Sequence, residues 1–139
     1  MKFLSILATL LITASSWAAE VPGQIFYKKS DDNIARRDVT LEVPSRGMGE
    51  VVLKGNNFEW RTTDFWTTIS SDGKVTFTAA FQTEFMNKKS TIALNGVYLK
   101  GDNEIIYNGN FFKKEGHEPI NDDISDFDYQ GGFTFNYIR

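Results

Sequence analysis

The sequence predicts an all-β domain, a small antiparallel up-and-down β-barrel or sandwich of about eight strands, preceded by a cleaved signal peptide. Two observations predict this class. Apolar residues recur at every second position through much of the chain after the first twenty residues, which is the spacing of side chains that share one face of a strand. Gly, Asn and Asp cluster where one apolar run must reverse into the next, as hairpin turns require.

A Sec-type signal peptide of bacterial style is predicted for residues 1–18. A positively charged residue precedes an apolar run at 3–12, which is too short for a bilayer core that needs about 20 residues. Small residues, Ser16 and Ala18, occupy the positions that a signal peptidase reads before a cut after Ala18. The mature protein is therefore expected to be one domain, residues 19–139, in the periplasm.

The composition excludes several classes of function. The formal net charge is −3, which argues against a nucleic-acid partner because such proteins carry a clustered basic face. The acidic balance also argues against electrostatic docking on anionic lipid. The chain has no Cys, so disulfides, thiol nucleophiles and Cys-ligated metals are excluded. The domain is long enough to bury a core without such cross-links.

The clearest alternation lies in the C-terminal half of the chain. In residues 75–85, one predicted face carries Val75, Phe77, Ala79, Phe81 and Phe85. In residues 127–137, one predicted face carries Phe127, Tyr129, Phe133, Phe135 and Tyr137. Two further β-rich segments, 91–100 and 104–114, lie between them and complete a set of four long strands.

The N-terminal half predicts shorter and more charged strands, at residues 24–29, 37–43 and 49–55. The segment 57–69 is longer, but its apolar parity changes between Trp60 and Phe65, which predicts a bulge or a break. A meander of hairpins closes naturally into a barrel, since closure removes exposed strand edges. By strand count and size such a barrel would be calycin-like, which is an analogy at the level of fold.

One short motif occurs twice: LKGNNFEW at 53–60 returns as LKGDNEII at 99–106. Gly, Asn and Asp tolerate positive φ, and both copies lie where one apolar run must reverse. We therefore interpret both as hairpin turns rather than as a repeated ligand-binding loop. Two further glycines, Gly96 and Gly109, lie inside predicted strands, where glycine commonly marks a bulge or a bend.

Alternation does not tell which face of the barrel meets water. The C-terminal strand resembles the terminal signal of outer-membrane β-barrel proteins, because Phe133, Phe135 and Tyr137 fall at every second position. The resemblance implies an outer-membrane barrel as an alternative, although this chain ends on Arg139 where that family ends on an aromatic residue. Charges in the short strands, such as Lys54, favour a periplasmic domain, since a charge on the lipid face costs about 2–4 kcal/mol near the midplane.

Catalytic chemistry is not predicted. His117 is the only histidine and lies in a polar loop, which argues against a His-dependent triad and a catalytic zinc site. No Ser or Thr lies in a nucleophile-elbow pattern. We expect a protein that is not an enzyme and that uses no cofactor or metal.

The acidic stretch 121–128 leaves one metal hypothesis open. Asp126, Asp128, Gln130 and Gly131 match the opening spacing of a D-x-D-x-x-G calcium loop. The twelfth position of such a loop supplies a bidentate Glu, and here that position is Tyr137. The stretch is therefore interpreted as a solvated loop that leads into a strand.

Aromatic residues supply the candidate ligand site. The predicted ligand-binding residues are Trp60, Trp66, Phe77, Phe81, Tyr107 and Phe133. The two Trp flank polar residues, as at the mouth of a binding site, and the other four would line the interior of a closed barrel, which can fill itself or hold one small ligand. The sequence thus favours non-catalytic periplasmic binding of a small apolar or lipid-like molecule.

Two alternative functions stay open at this point. One is a protein-directed role, in which an inhibitor, immunity factor or envelope-assembly factor uses its acidic surface to meet a basic protein partner. The other is the integral outer-membrane β-barrel.

Overall fold

The computed structural model describes residues 19–44, 49–117 and 123–138, and the predicted signal peptide at 1–18 lies outside these ranges. The described residues form nine strands. They are β1 (Ala19–Lys28), β2 (Ile34–Val43), β3 (Val51–Lys54), β4 (Glu59–Thr62), β5 (Phe65–Ile69), β6 (Val75–Phe85), β7 (Lys88–Lys100), β8 (Glu104–Glu115) and β9 (Asp128–Ile138). The described part of the chain contains no helix with the length and hydrophobicity needed to cross a bilayer.

All nine strands belong to one antiparallel sheet with the order β4-β3-β2-β1-β9-β8-β7-β6-β5. Strand β1 pairs with β9, so the two ends of the meander meet in the middle of the sheet. The edge strands, β4 and β5, are consecutive in sequence, and β4 also packs against β6. The backbone N–H of Ala80 donates to the carbonyl of Asp64 at 2.9 Å across this seam. The sheet is therefore a nearly closed barrel, and the predicted all-β class is confirmed.

The strand directions define two ends of the barrel. The β1–β2, β3–β4, β6–β7 and β8–β9 connections lie at one end, which we call the upper end. The β2–β3, β5–β6 and β7–β8 connections lie at the lower end. Strands β4 and β5 run in the same direction, because they are two parts of one segment whose strand structure is interrupted between them.

This interruption confirms the break predicted within 57–69 and raises the strand count from eight to nine. The break lies at residues 63–64, where the backbone N–H of Asp64 donates to Oγ1 of Thr62 at 2.9 Å instead of to a neighbouring strand. The break also reverses the side-chain parity. Trp60 packs against the interior cluster, whereas Trp66 packs against a separate cluster on the outer face.

Both copies of the repeated motif are hairpin turns, as predicted. The backbone N–H of Gly55 donates to the carbonyl of Phe58 at 3.0 Å in the first copy. The equivalent bond joins Gly101 to Glu104 at 2.8 Å in the second copy. The two turns are closed by the same backbone hydrogen bond but lie at opposite ends of the barrel. The sequence repeat therefore does not form a repeated site.

The strand glycines were predicted to mark a bulge or a bend, and no bulge occurs at either of them. Gly96 and Gly109 face each other in an unshifted β7–β8 ladder. A Cβ on Gly96 would lie 2.3 Å from the carbonyl oxygen of Asn108, so the glycines allow two strands to approach closely. The ladder shifts instead between β8 and β9, where Phe111 pairs with Gly131 but Phe112 pairs with Tyr129.

This bulge in β9 corrects the face predicted for residues 127–137. The extra residue is Gln130, and it reverses the alternation on the N-terminal side of the strand. Phe133 and Phe135 stay in the interior, as predicted. Tyr129 is largely exposed on the outer face, and Phe127 packs in the outer cluster. The inserted residue thus moves Tyr129 from the predicted inside to the outside, and Phe127 lies before the start of β9.

The interior of the barrel is filled with side chains. Aliphatic residues dominate on β1, β2 and β3, and aromatic residues dominate on β6, β8 and β9. The buried members are Val21, Val39, Leu41, Val43, Val51, Leu53, Phe77, Ala79, Phe81, Leu94, Ile105, Tyr107, Phe133 and Phe135. Phe85, predicted for the same face, extends past its neighbours at the upper end and is 77% exposed.

A second, smaller apolar cluster lies on the outer face of β6 and β7. Its buried centre is the cross-strand pair Ala80 and Ala93, and Trp66, Ile124 and Phe127 cover it. The chain that precedes β9 therefore packs against the outside of the barrel. These contacts explain why the outer position of Trp66 is partly buried.

Candidate functional site

Four of the six predicted ligand-binding residues lie in the packed interior. Phe77, Phe81, Tyr107 and Phe133 are each 3% exposed or less. The rings of Tyr107 and Phe133 are 4.5 Å apart, and those of Phe77 and Tyr107 are 5.3 Å apart. These residues therefore contact one another as a core, and the closed lower part of the barrel offers them no opening to solvent.

Tyr107 is the centre of this aromatic core. Its hydroxyl donates to the backbone carbonyl of Phe77 at 2.8 Å, so the one polar atom of the side chain is satisfied. Burial raises the pKa of the Tyr107 phenol well above its ordinary value. Burial also raises the pKa of the half-buried Tyr98, whose ring lies 6.0 Å from that of Tyr107.

The two predicted Trp residues lie on opposite faces of the barrel wall. Trp66 covers the outer cluster at Ala80 and Ala93. Trp60 lies on the inner face, with its ring centroid 4.5 Å from Phe58 and 6.3 Å from Phe81. Of the six predicted residues, Trp60 alone lines a cavity near the upper end of the barrel.

This cavity arises because the β3–β4 hairpin is short. Only residues 40–42 of β2 pair with β3, and the remainder of β2 up to Ile34 continues without a partner on that side. On the other side of the opening, β6 continues past the end of its pairing with β5, which stops at Ala79. The strands β3 and β4 therefore end below the upper end of the barrel, and the gap above their turn exposes part of the interior.

The resulting cleft has a volume of about 760 Å³. The apolar part of its lining consists of Ile25, Tyr27, Phe58, Trp60 and Phe111. The polar part consists of Lys28, Arg36, Arg37, Asp38, the β3–β4 turn residues Gly55, Asn56 and Asn57, and Gln130. Ile25, Phe58, Trp60 and Phe111 also pack against the interior cluster, so the floor of the cleft is the upper surface of the core.

The charged rim of the cleft is uneven. Lys28 forms an ion pair with Asp32 at 3.1 Å, and Asp38 accepts a hydrogen bond from the side-chain amide of Gln24 at 3.0 Å. Arg36 and Arg37 form no ion pair with a carboxylate of the described residues. The rim thus carries two guanidinium groups that belong to no ion pair of the described residues, together with the carboxylate of Asp38.

Sequence reasoning missed Arg37 and Phe58 as cleft residues. The pattern of β2 contains a signal for the first, because Arg37 interrupts an inner row formed by buried Ala35 and Val39. A cation on an otherwise apolar face indicates an opening in the wall or a ligand. Phe58 could not be found in this way, since it belongs to a turn and turn residues follow no period.

His117 has a structural contact at the upper end. Its Nε2 lies 2.7 Å from the carbonyl oxygen of Thr83, and the side chain is partly buried. The histidine therefore packs the loop after β8 against β6 near the β6–β7 turn. His117 lies in a loop, as its polar surroundings predict, and its side chain is half-buried there.

Asp126 and Asp128 of the calcium hypothesis belong to no cluster of metal-ligating side chains among the described residues. Asp126 forms an ion pair with Lys114, and Gln130 occupies the bulge of β9. Hydrogen bonds from Ser125 lower the pKa of Asp123. No group of three or more metal-ligating side chains is found within 19–44, 49–117 and 123–138. Residues 121 and 122 of the acidic stretch lie outside the described ranges.

In comparisons with known proteins, no family model, no curated protein and no solved structure matches the chain.

Proposed function

We propose that this chain is an exported periplasmic binding protein without catalytic activity, and that it holds a small apolar or lipid-like molecule in the cleft above the β3–β4 turn. The cleft itself carries the proposal. Its volume of about 760 Å³ falls in the range of about 300–1,000 Å³ that small-molecule sites occupy. An aromatic floor beside a few polar groups is the usual lining of such sites.

The proposed ligand position differs from the one expected from the sequence. A filled barrel leaves the ligand at the mouth, where it would lie on Phe58, Trp60 and Phe111 instead of among the buried rings below. Association there would cover apolar surface that water now contacts, which stabilises the complex by about 25 cal/mol per Å² of buried area. Trp60 supplies the largest rigid ring of this surface and would be the main contact.

The distribution of polar side chains supports a water-facing barrel over the outer-membrane alternative. The outer face of β2, β3 and β4 carries Glu42, Lys54, Glu59 and Arg61, which form a chain of ion pairs. An outer-membrane barrel presents an apolar band to lipid, and charges there are unfavourable. The aromatic cluster around Tyr107 lies inside instead. The predicted signal peptide supports export.

Binding of the neutral fluorophore N-phenyl-1-naphthylamine to residues 19–139 tests the proposal. We expect saturable binding that Trp60→Leu weakens by roughly tenfold, since a buried Trp often carries a large share of the binding energy of a site. Trp66→Leu is the matched control, because it removes the same side chain from the outer face and should leave binding unchanged. Absence of binding, or equal loss in both variants, would contradict a ligand site in the cleft.

A further inference from the structure

The rim of the cleft carries charged side chains that a purely apolar ligand would not bind. Two adjacent residues, Arg36 and Arg37, line the opening on the free part of β2. Adjacent strand residues point to opposite faces, so one guanidinium lies on the inner side of the wall and the other on the outer side. The guanidinium groups of Arg36 and Arg37 thus lie on either side of the unpaired edge of β2 at the opening of the cleft.

Arg37 is the unusual member of the pair. Its neighbours on the inner row, Ala35 and Val39, are 4% and 3% exposed. Arg37 lies between them on the same row but is exposed, because β3 ends before it reaches this height. Its charge therefore lies beside the apolar floor formed by Phe58 and Trp60 and is exposed to water.

The acids near the rim leave these arginines available. Among the described residues, the one carboxylate that lines the cleft is Asp38, whose Oδ1 accepts from the amide of Gln24. Asp32, near the same rim, is paired with Lys28. The cleft lining thus holds three cations and one carboxylate, while the whole chain has a formal net charge of −3. A local cationic rim on an acidic protein attracts an anionic ligand group.

We infer that the ligand of this cleft is a single-chain amphiphile with an anionic oxygen head, either a carboxylate or a phosphate, which Arg37 and Arg36 bind while the apolar chain lies on Phe58, Trp60 and Phe111. This inference rests on the proposed function and adds the chemical class of the ligand. Guanidinium groups bind carboxylate and phosphate through paired charge-assisted hydrogen bonds. Rim and floor line the same cleft, which suits one molecule with both parts.

Displacement of N-phenyl-1-naphthylamine from residues 19–139 by three twelve-carbon compounds tests the inference. The compounds are dodecanoate, dodecyl phosphate and the neutral dodecanol. We expect one or both anions to displace the probe at concentrations roughly tenfold lower than dodecanol, because charge-assisted hydrogen bonds add to the contribution of the chain. A preference between the two anions identifies the head group as carboxylate or phosphate.

Two matched variants assign the effect to the rim. Arg37→Gln should lower the preference for anions over dodecanol several-fold, and the double variant with Arg36→Gln should abolish it. Arg61→Gln removes a guanidinium from the outside of β4, where it is paired with glutamates, and should keep the preference.

The outcomes separate the two proposals. If dodecanol displaces the probe as well as the anions do, or if Arg37→Gln keeps the preference, the anionic head group is contradicted while the apolar cleft stands. If the probe does not bind the wild-type protein, or if Trp60→Leu has no effect, both proposals fail together.

Discussion

Two walls of the barrel differ in construction. The long-strand wall, β6–β9, has strands of 11–13 residues that pair over nearly their whole length. The short-strand wall, β2–β4, includes two strands of only 4 residues. The long-strand wall buries aromatic rings and has mostly uncharged side chains outside, such as Thr76, Asn95, Asn108 and Thr134. The short-strand wall buries aliphatic side chains and carries ion pairs outside.

The difference shows that the residues that stabilise the fold and the residues that line the cleft belong to different walls. Long paired strands close the barrel over Tyr107 and its neighbours and leave no opening there. The short β3–β4 hairpin leaves the wall incomplete, and the cleft is the space that a longer hairpin would fill. We therefore expect large stability effects from the long-strand wall and binding effects from the gap above the short one.

The largest stability effect should come from Phe133→Ala in the long-strand wall. Phe133 is 2% exposed and its ring packs against those of Tyr107 and Phe135. Truncation of a buried Phe leaves a cavity and costs about 3–5 kcal/mol. The free energy of unfolding in urea measures this change.

The control for that variant is Phe85→Ala on the same predicted face. Because Phe85 is largely exposed at the upper end, its loss should change the free energy of unfolding by less than about 0.5 kcal/mol. Equal effects of the two substitutions would show that the long-strand wall does not hold the core.

A smaller effect is expected for Tyr107→Phe, which keeps the ring and removes the hydrogen bond to Phe77. Loss of one buried hydrogen bond costs about 1 kcal/mol at neutral pH. The pKa of Tyr107 is raised in the folded protein, so the unfolded chain releases its phenolic proton first, at a pH near about 10. Stability from this group is therefore intact below that pH and is lost as the pH rises further.

Urea unfolding at pH 8 and at pH 11 checks the sign of this effect. The wild-type protein should lose more stability between the two values than Tyr107→Phe does. An equal loss in both proteins would mean that the Tyr107 phenol is not kept neutral by burial.

The turn between β6 and β7 offers a gain in stability of similar size. Met86 and Asn87 both have positive φ, at 51° and 65°. A two-residue turn of this kind favours Asn-Gly, since an ordinary L-residue in the left-handed region costs about 1–2 kcal/mol. The double variant Met86→Asn, Asn87→Gly should therefore stabilise the protein by about 1 kcal/mol. A thermal unfolding midpoint that falls instead would contradict the strain assigned to this turn.

The smallest effect should come from the ion pairs of the short-strand wall. Hydrogen bonds to Glu50 and Glu59 raise the pKa of Arg61, but the guanidinium is exposed and water screens the interaction. Arg61→Gln should lower the urea midpoint less than Tyr107→Phe does. In 1 M salt the difference from wild type should vanish, because the Debye length falls to about 3 Å. If Arg61→Gln still lowers the urea midpoint in 1 M salt, the ion pairs of Arg61 contribute to stability beyond the screened charge interaction.

The sequence predicts the long-strand wall better than the rest of the molecule. An unbroken period of two identifies the inner row of β6, and Phe77 and Phe81 lie where it indicates. The period fails at the break between Thr62 and Phe65 and at the bulge of Gln130. At each place, residues without a strand partner change which side chains before and after them share a face.

The candidate site was predicted only through Trp60. The cleft depends on where β3 stops relative to β2, and this is a property of strand lengths and register that no single segment encodes. Arg37 carried a local signal, as a cation on an apolar row, whereas Phe111 looked like any inner aromatic residue of β8.

The indole N–H signals of Trp60 and Trp66 give the most direct test of the cleft, since these two are the tryptophans of residues 19–139. A ¹⁵N-labelled sample titrated with dodecanoate should show a shift of the Trp60 signal, together with backbone shifts at Gly55 and Arg37. The Trp66 signal on the outer face should stay unchanged. A shift of Trp66 without Trp60, or no shift in either, would contradict a ligand site above the β3–β4 turn.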